Sequence, residues 1–275
     1  MTSALVVEGG AMRGIFAAGV LDCFLERGVT HFDFAIGVSA GATNLSTYVT
    51  GAKGLSKTII MDYATRREFF SPLRFIRGGH MTDVHWLWHY SKATLGLPSP
   101  EKPSTPLYVG ITNADTGSCE YPRIHPGNVD DIMVASCAIP TAYRDQPVIH
   151  GSRFVDGGVA DPIPVQKAWE MGARDITVVL SQSAGFRKPE IRSPWLLQKL
   201  YGAQPALMNA MLQRAGKYNA SLDFIQSPPE GCHINVIAPS ASFAVKRLTM
   251  DKKKLLRGYA EGKRAGRRES KSAAA

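Results

Sequence analysis

The first fifty residues alternate short apolar runs with amphipathic stretches, and this alternation restricts the fold more than any other feature of the sequence. The apolar run Ala4–Val7 stops at a glycine pair, and Gly14–Arg27 then carries apolar residues at the helical spacings of three and four. A second apolar run, Phe32–Ile36, leads into another helical stretch that ends near Thr50. Strands that alternate with helices build parallel sheets. The sequence therefore predicts an α/β fold, a three-layer α/β/α sandwich with a mainly parallel central sheet.

The rest of the chain continues this pattern less regularly, and its length of 275 residues suits one large domain or two small ones. A hairpin is predicted where Asp115-Thr116-Gly117 precedes Cys119–Tyr121. Further strands are predicted over Leu107–Thr112, Ser152–Val155, Asp175–Ser181 and His233–Ala238, and further helices over Val129–Cys137, Val165–Met171, Pro205–Tyr218 and Met250–Arg264. We expect one domain over residues 1–264 and a frayed, basic tail over residues 265–275.

The net charge of +9 invites a nucleic-acid-binding interpretation, but its distribution argues against one. Residues 246–275 contain eleven Lys or Arg and only three acids, so residues 1–245 are almost neutral. We therefore expect no nucleic-acid partner. Peripheral contact with an anionic membrane through the basic C-terminal tail stays open.

The four cysteines lie far apart, and none forms the C-x-x-C pair of a zinc knuckle or a redox motif. The N-terminus lacks the basic region and long apolar stretch of a signal peptide. These features predict a reduced, soluble, cytoplasmic protein, with peripheral membrane attachment left open.

The strongest local motif is Gly37-Val38-Ser39-Ala40-Gly41, which lies between a predicted strand and a predicted helix. A sharp strand-to-helix turn exposes a serine hydroxyl and places it at a helix N-terminus, where backbone amides and the helix dipole favour a developing oxyanion. The flanking glycines allow the chain to bend there. Taken alone, the motif is equally compatible with a turn of small residues that contains an incidental serine.

A second glycine-rich turn, Gly9-Gly10-Ala11-Met12-Arg13-Gly14, also joins a strand to a helix. Backbone amides that precede a helix are free to bind an anion or to form an oxyanion hole. A dinucleotide-binding fingerprint that starts at Gly9 would require glycine at position 11, where the sequence has Ala11. A P-loop would require Gly-Lys-Ser/Thr after the turn, and none follows. Both observations argue against a nucleotide-binding loop here.

A third motif, Asp156-Gly157-Gly158, follows the predicted strand Ser152–Val155. Parallel α/β sheets place their ligands at the carboxyl ends of strands, so an acid here is a candidate functional group, although capping of a turn is the simpler interpretation. Because all three motifs follow strands, we expect one edge of the sheet to bring them together.

In this combination and order, the chain resembles the bacterial patatin-like phospholipases, which carry a glycine-rich oxyanion loop, a G-x-S-x-G motif and a D-G-G/A motif. The segment Ala135–Pro140, which leads through Tyr143 to Asp156, is similar to the part of the family that precedes its aspartate. The resemblance covers roughly residues 4–174.

The resemblance implies a catalytic dyad of Ser39 as nucleophile and Asp156 as base, with no histidine and no metal or other cofactor. The amides of Gly10, Ala11 and Met12 would form the oxyanion hole. Arg13 would orient the loop or meet a phosphate, or else form a purely structural salt bridge. The implied activity is calcium-independent hydrolysis of a lipid or other acyl ester, of phospholipase A or lysophospholipase type. The remaining motif residues are glycines with a structural role, namely Gly9, Gly14, Gly37, Gly41, Gly157 and Gly158.

Other hypotheses remain open. The order Ser39, Asp156, His233 matches the order of an α/β-hydrolase triad, and such a triad would make the protein a general carboxylesterase. A non-catalytic membrane-surface module of the same fold would also use the basic tail. His85 and His89 could share a helix face, but no third metal ligand is evident.

The aromatic and basic stretch over residues 66–95 has two interpretations. A lipase could use it as a lid or a membrane-contacting flap. Its aromatic residues could equally be part of the core.

Overall fold

The computed structural model of the chain describes residues 1–97 and 105–272, without the side chains of residues 269–272. Its strands are β1 (Ser3–Val7), β2 (Phe34–Val38), β3 (Leu107–Asn113), β4 (Cys119–Glu120), β5 (Val148–Ile149), β6 (Ser152–Asp156), β7 (Asp175–Val179) and β8 (His233–Ile237). Within the described residues they form one sheet in the order β5-β6-β3-β2-β1-β7-β8, and β4 pairs with β3.

The centre of this sheet is parallel, as predicted. Strand β1 pairs in parallel with β2 and β7, and the parallel pairs β2–β3 and β7–β8 extend the sheet on either side. The edge around β3 is antiparallel, because β4 and β6 both run against β3 and β5 runs against β6. The sheet is therefore mainly but not wholly parallel.

Helices cover both faces of the sheet. They are α1 (Gly14–Glu26), α2 (Ala40–Val49), α3 (Leu55–Thr58), α4 (Pro72–Ile76), α5 (Val84–Leu95), α6 (Val129–Cys137), α7 (Val165–Glu170), α8 (Pro194–Tyr201), α9 (Pro205–Gln226) and α10 (Lys252–Ser272), with a π-helical turn over Ile59–Tyr63. No helix in the described part of the chain is both long and apolar enough to cross a bilayer.

Strand β1 shows how the sequence produces the three layers. Leu5 and Val7 point into a core shared with α1, α2 and α6, whereas Ala4 and Val6 point into a second core shared with α7 and α9. Side chains alternate between the two faces of a strand, so an uninterrupted apolar run requires cover on both faces. This arrangement confirms the predicted three-layer α/β/α sandwich.

The direction of β6 differs from the expectation that placed Asp156 at the carboxyl edge of a parallel sheet. Strand β6 is antiparallel to β3, and it ends part-way along β3 with Asp156 opposite Ile111. Val38, the last residue of β2, lies opposite Gly110 on the other side of β3. Strands β2 and β6 run in opposite directions on the two sides of β3. Their last residues, Val38 and Asp156, nevertheless lie opposite adjacent residues of β3.

The C-terminal helix extends further than the sequence predicts. Helix α10 continues to Ser272, beyond residue 265, where the sequence leads us to expect a frayed tail; residues 273–275 lie outside the described chain. The cause is close packing against α1: a Cβ added to Gly262 would lie 2.0 Å from the carbonyl oxygen of Phe16. This interface is built from glycines, which apolar periodicity does not reveal.

Candidate active site

Ser39 lies at the turn between β2 and α2, and its backbone adopts a conformation that is unusual for a residue with a side chain. Its φ is 54° and its ψ is −128°. Such angles cost roughly 1–3 kcal/mol and persist only where the surrounding structure imposes them. The side chain is 7% exposed, so it reaches solvent only through the pockets described below. This geometry is that of the sharp strand-to-helix turn that the sequence predicts.

The glycines on either side of Ser39 are required for close packing. A Cβ on Gly41 would lie 2.3 Å from the carbonyl oxygen of Val7, and a Cβ on Gly37 would lie 2.7 Å from the Cα atom of Ala42. No side chain fits at either position, so α2 can begin directly above β1 and β2.

Ser136, a buried residue of α6, fixes the same turn from below. The Ser39 amide donates a hydrogen bond to Ser136 Oγ at 2.8 Å, and that hydroxyl donates to the Gly110 carbonyl oxygen at 2.8 Å. The hydroxyl thereby joins the turn to β3, and it uses the Ser39 amide, which is unavailable to a substrate.

Asp156, at the end of β6, faces Ser39. It is 5% exposed, and its Oδ1 atom accepts a hydrogen bond from the Gly158 amide at 2.8 Å. Burial raises the pKa of the Asp156 carboxyl, whereas hydrogen bonding from the Ser39 side chain and the charge of Arg214 act in the opposite direction. The serine and the aspartate therefore lie near each other across β3, although 117 residues separate them in the sequence.

The turn after Asp156 is held tightly against β3. A Cβ on Gly157 would lie 2.1 Å from the Gly110 carbonyl oxygen, so only glycine fits. Thr112 Oγ1 donates to the Asp156 carbonyl oxygen at 2.9 Å and accepts from the Ala160 amide at 3.2 Å. The carboxylate consequently has a fixed position relative to Ser39.

The glycine-rich loop runs along the other side of Ser39. A Cβ on Gly9 would lie 3.0 Å from the Cβ atom of Ser39, and Ala11 has a positive φ of 49°. The amides of Gly10 and Ala11 have no hydrogen-bond acceptor among the residues that the structure describes. These two amides remain available as oxyanion donors.

Met12 does not fit the role that the family resemblance gives it. Its amide donates to the Arg247 carbonyl oxygen at 3.3 Å, so this N–H is already used within the protein. The cause is the segment that precedes α10, which folds back over the loop. In this arrangement the Met12 amide is not free to bind an oxyanion as the resemblance implies.

Arg13 is buried and held by its own neighbours. Its guanidinium lies 3.9 Å from Glu8 Oε1 and donates to Ser181 Oγ at 3.1 Å. Glu8 in turn accepts from the Ser181 amide at 2.6 Å. Arg13 thus orients the loop through this network. Gly14 begins α1, and its carbonyl oxygen accepts from Asn44 Nδ2 of α2 at 2.8 Å.

Two pockets meet at Ser39. The first is apolar, encloses about 1020 Å³ and is partly open to solvent. Its walls come from the loop, the π-helical turn, α5, α6 and the segment before α10, and include Met12, Ile59, Ile60, Phe69, Phe70, Val84, Leu87, Trp88, Met133, Leu248 and Met250. Several side chains of residues 66–95 therefore line a cavity beside Ser39.

The second pocket is more polar and encloses about 840 Å³, part of it open to solvent. It contains Asp156, the glycine-rich loop and the side chains of Arg214 and Arg247. Ser39 and Ala11 lie on the walls of both pockets. A molecule with an apolar part and a polar part could occupy both pockets at once, with its junction at the serine hydroxyl.

The structure contradicts the triad that includes His233. That residue begins β8, its side chain is 75% exposed, and its Nδ1 atom lies 3.3 Å from Asp175 Oδ1. Both residues lie at the N-terminal edge of the sheet, level with Ser3, whereas Ser39 follows the opposite end of β2. His233 is too far along the strand to assist Ser39.

The rings of His85 and His89 do lie close together, with centroids 4.3 Å apart on α5. Across residues 1–97 and 105–272, however, no group of three or more His, Cys, Asp or Glu residues is placed to hold a metal ion.

Sequence reasoning missed three residues of this site. Ser136 lies in the segment that resembles the family, but nothing in its spacing reveals its contact with Ser39. Arg214 and Arg247 lie far along the chain from the motifs, and only the folding of α9 and of the segment before α10 brings them to the pocket. No local signal in the sequence identifies them.

Comparison with known proteins places these features in a family. The sequence model of the family described as Patatin-like phospholipase matches residues 5–169, well over half of the chain. A second model, described as a domain of unknown function (DUF6363), matches residues 204–275, which include α9, α10 and both arginines of the pocket.

Among individual proteins, the uncharacterized protein YjjU of Escherichia coli (strain K12) is 35% identical over 247 residues, which are 86% of this chain and 68% of YjjU. The crystal structure of VipD from Legionella pneumophila aligns with a TM-score of 0.41 and 12% identity, over 96% of this chain and 66% of VipD, slightly less than two thirds. Given the family model and the identity with YjjU, the chain belongs to the patatin-like phospholipase family.

Proposed function

We propose that the protein is a serine lipid acyl hydrolase of phospholipase A or lysophospholipase type. The observation that supports the proposal is the position of Ser39: it lies by the buried Asp156 carboxylate, and beside it are the amides of Gly10 and Ala11, which bind no acceptor among the described residues. A nucleophile, a base and oxyanion donors are the groups that acyl transfer requires. Membership of the family supports the same class of reaction.

In the first half-reaction, Ser39 Oγ attacks the ester carbonyl carbon while Asp156 accepts the hydroxyl proton. The amides of Gly10 and Ala11 stabilise the oxyanion of the tetrahedral intermediate; one such donor contributes about 2.7–4 kcal/mol. The intermediate collapses, the C–O bond to the alcohol breaks, and the leaving alkoxide takes the proton from Asp156. The acyl group stays on Ser39 as an ester.

In the second half-reaction, Asp156 accepts a proton from water, and the resulting hydroxide attacks the acyl-enzyme. Collapse of the second tetrahedral intermediate breaks the bond to Ser39 Oγ, which takes the proton back from Asp156 and releases a fatty acid. A free carboxylate is a weak base. The burial that raises the pKa of Asp156 therefore makes it a better base for both steps.

The apolar pocket supports a lipid acyl chain as the group that is transferred. Ser39 lies on its wall, and the lining surface is almost entirely apolar, so an acyl chain would leave water when it enters. On this proposal, residues 66–95 act as the wall of the acyl site. The mechanism uses no calcium.

The four free cysteines support the cytoplasmic location that the sequence predicts.

The experiment that tests this proposal is covalent labelling together with hydrolysis. Wild-type protein should react with a fluorophosphonate probe at Ser39, and it should release p-nitrophenol from medium-chain esters in the presence of EDTA. The Ser39→Ala and Asp156→Asn variants should lose the hydrolysis, and Ser221→Ala, which alters a buried serine of α9 away from the pocket, should keep it. Folded wild-type protein that neither labels nor hydrolyses would contradict the proposal.

A second candidate property, contact with an anionic membrane, is favoured by the outer face of α10. Lys253, Lys254, Arg257 and Arg264 are all exposed on this helix. Basic side chains near an anionic bilayer contribute about 1 kcal/mol each. Sedimentation with phosphatidylglycerol vesicles should show binding that salt weakens and that Ser39→Ala leaves intact. Equal binding to phosphatidylcholine vesicles would rule out this electrostatic attachment.

A further inference from the structure

The polar pocket contains two arginines that the catalytic mechanism does not use. Arg214 comes from α9, and Arg247 comes from the segment between β8 and α10. Both lie outside the part of the chain that the patatin-like model matches, and both lie within the part matched by the domain of unknown function. Arg247 lines the apolar pocket as well, which places it where the two pockets meet.

Neither arginine forms an ion pair with a carboxylate in the part of the chain that the structure describes. Among the described residues, no acid lies within 4.0 Å of the Arg214 or Arg247 guanidinium. Arg214 Nε donates to the Gly158 carbonyl oxygen at 2.5 Å, which leaves its terminal nitrogens without a protein acceptor in the described chain. The Arg247 side chain makes no hydrogen bond to the described residues.

The nearby charged groups are already engaged elsewhere. Glu8 interacts with Arg13 and accepts hydrogen bonds from Ser181, and Asp156 accepts from the Gly158 amide. Arg13, the cation of the glycine-rich loop, is held by Glu8 and Ser181 and is therefore not free to meet a ligand. Arg214 and Arg247 are thus the cations that the pocket offers to a bound molecule.

The electrostatic effect of this pair is visible in a neighbouring lysine. Burial, together with the charges of Arg214 and Arg247, lowers the pKa of Lys188 to about 7. Burial likewise lowers the pKa of Arg214 to about 10, with Arg247 acting in the same direction. The charges of Asp156 and Glu8 act in the opposite direction on Arg214 but do not outweigh burial, and positive charge at such a site is stabilised when an anion binds there.

We infer that Arg214 and Arg247 form an anion subsite that binds the phosphate of the substrate's head group and that these two residues determine the preference for a phosphate-bearing ester over a neutral one. Guanidinium groups recognise phosphate oxygens through paired hydrogen bonds. With the acyl chain in the apolar pocket and the ester carbon at Ser39, the head group lies in the pocket that contains both arginines. The inference rests on the proposed function for its orientation of the substrate.

Binding to the Ser39→Ala protein tests the subsite without depending on catalysis. The probes are lysophosphatidate and a monoacylglycerol with the same acyl chain, both kept below their critical micelle concentrations, with Kd measured by calorimetry. We expect lysophosphatidate to bind at least about tenfold more tightly. In the Ser39→Ala background, Arg247→Gln and Arg214→Gln should each remove most of this preference, and Arg214→Lys should retain part of it.

The matched control is Arg257→Gln, which removes the same charge from an exposed position on α10 and should leave the preference unchanged. If Arg214→Gln lowers the melting temperature, Arg247→Gln decides the result, because its side chain has no hydrogen bond to lose. Millimolar inorganic phosphate should displace lysophosphatidate but not the monoacylglycerol.

Three results would overturn the inference: equal affinity for the two lipids, the same loss of preference in Arg257→Gln, or phosphate that binds without displacing lysophosphatidate. The last result would mean that the arginines serve free phosphate at a place the head group does not reach. A wild-type protein that shows the lipid preference but hydrolyses neither ester would contradict the proposed function and leave the subsite standing.

Discussion

The backbone amide of Ser39 and the hydroxyl oxygen of Ser136 are joined by a hydrogen bond of 2.8 Å. Ser136 is fully buried, and its hydroxyl also donates to the Gly110 carbonyl oxygen. A single side chain thus ties the nucleophile turn to α6 and to β3. The Ser136 hydroxyl satisfies two buried backbone groups, and a water molecule could take its place only if the packing left room for one. We therefore expect this contact to determine the position of Ser39.

The first prediction concerns Ser136→Ala. The change leaves one buried N–H and one buried C=O without partners, so the free energy of unfolding should fall by about 1–3 kcal/mol. Ester hydrolysis should fall mainly in kcat, because Ser39 loses its fixed position, and Ser136→Thr should restore part of it. Ser221→Ala is the control: that hydroxyl bonds only within its own helix. An unchanged kcat in folded Ser136→Ala would contradict this positioning role.

The second prediction separates backbone strain at Ser39 from loss of the hydroxyl. Ser39→Gly and Ser39→Ala both remove the nucleophile, but only glycine adopts the observed φ of 54° without a steric cost. Glycine loses more conformational entropy on folding than alanine, which offsets part of the strain that it relieves. On balance, Ser39→Gly should be more stable than Ser39→Ala by about 1 kcal/mol. Urea unfolding measures this difference. Equal stability of the two variants would show that the turn is not strained.

The third prediction concerns the pH dependence that Asp156 produces. Hydrolysis requires the ionised carboxylate, so kcat/KM should fall at low pH with a midpoint above the ordinary aspartate pKa, since burial raises the pKa of Asp156. The folded protein binds this proton more tightly than the unfolded chain. Asp156 therefore lowers stability as the pH rises from the ordinary pKa through the raised one, by about 1.4 kcal/mol for each unit of the shift.

Asp156→Asn should accordingly be inactive and yet more stable than the wild type at neutral pH. The stability difference should shrink as the pH falls below the raised pKa, because both proteins are then uncharged at this position. Denaturant unfolding at a series of pH values gives the comparison, with the inactive Ser39→Ala protein as the reference. A difference that stays constant with pH would show that burial of the charge is not its cause.

The fourth prediction concerns the interface between α1 and α10. A methyl group on Gly262 would meet the Phe16 carbonyl oxygen at 2.0 Å, so Gly262→Ala should force the helices apart and lower the free energy of unfolding by at least about 2 kcal/mol. Gly216→Ala is the matched control, since its added Cβ meets nothing within 4 Å on α9. That variant should gain about 0.5–1 kcal/mol from helix propensity. Equal effects of the two changes would mean that the helices are not in close contact.

The parts of the site that the sequence predicts are those whose chemistry is local. Gly37, Ser39 and Gly41 form a contiguous turn, and their spacing is sufficient to predict its geometry. The direction of β6 is different, because a strand carries no local mark of whether its partner runs parallel or antiparallel. Asp156 therefore lies near Ser39 at the end of a strand that is antiparallel to β3, and not at the carboxyl end of a parallel strand as expected.

The C-terminal contributions were missed for related reasons. Helix α10 packs through Gly258, Gly262 and Gly266 as well as through Leu255 and Tyr259, and its many basic residues make the end of its sequence resemble a solvated tail. Arg214 and Arg247 became part of the pocket only through contacts made across the whole chain. Periodicity and motif spacing do not reveal which polar residues from distant parts of the chain come together in the folded protein.

The central position of β1 has a consequence for synthesis. Glu8 follows β1 directly and is anchored by Ser181, 173 residues later in the chain. During translation, β1 lacks a pairing partner on one of its edges until β7 has been synthesised and has left the ribosome. The nucleophile turn and the glycine-rich loop depend on contacts with Ser136 and Ser181, so they reach their folded arrangement only after residue 181 has been synthesised.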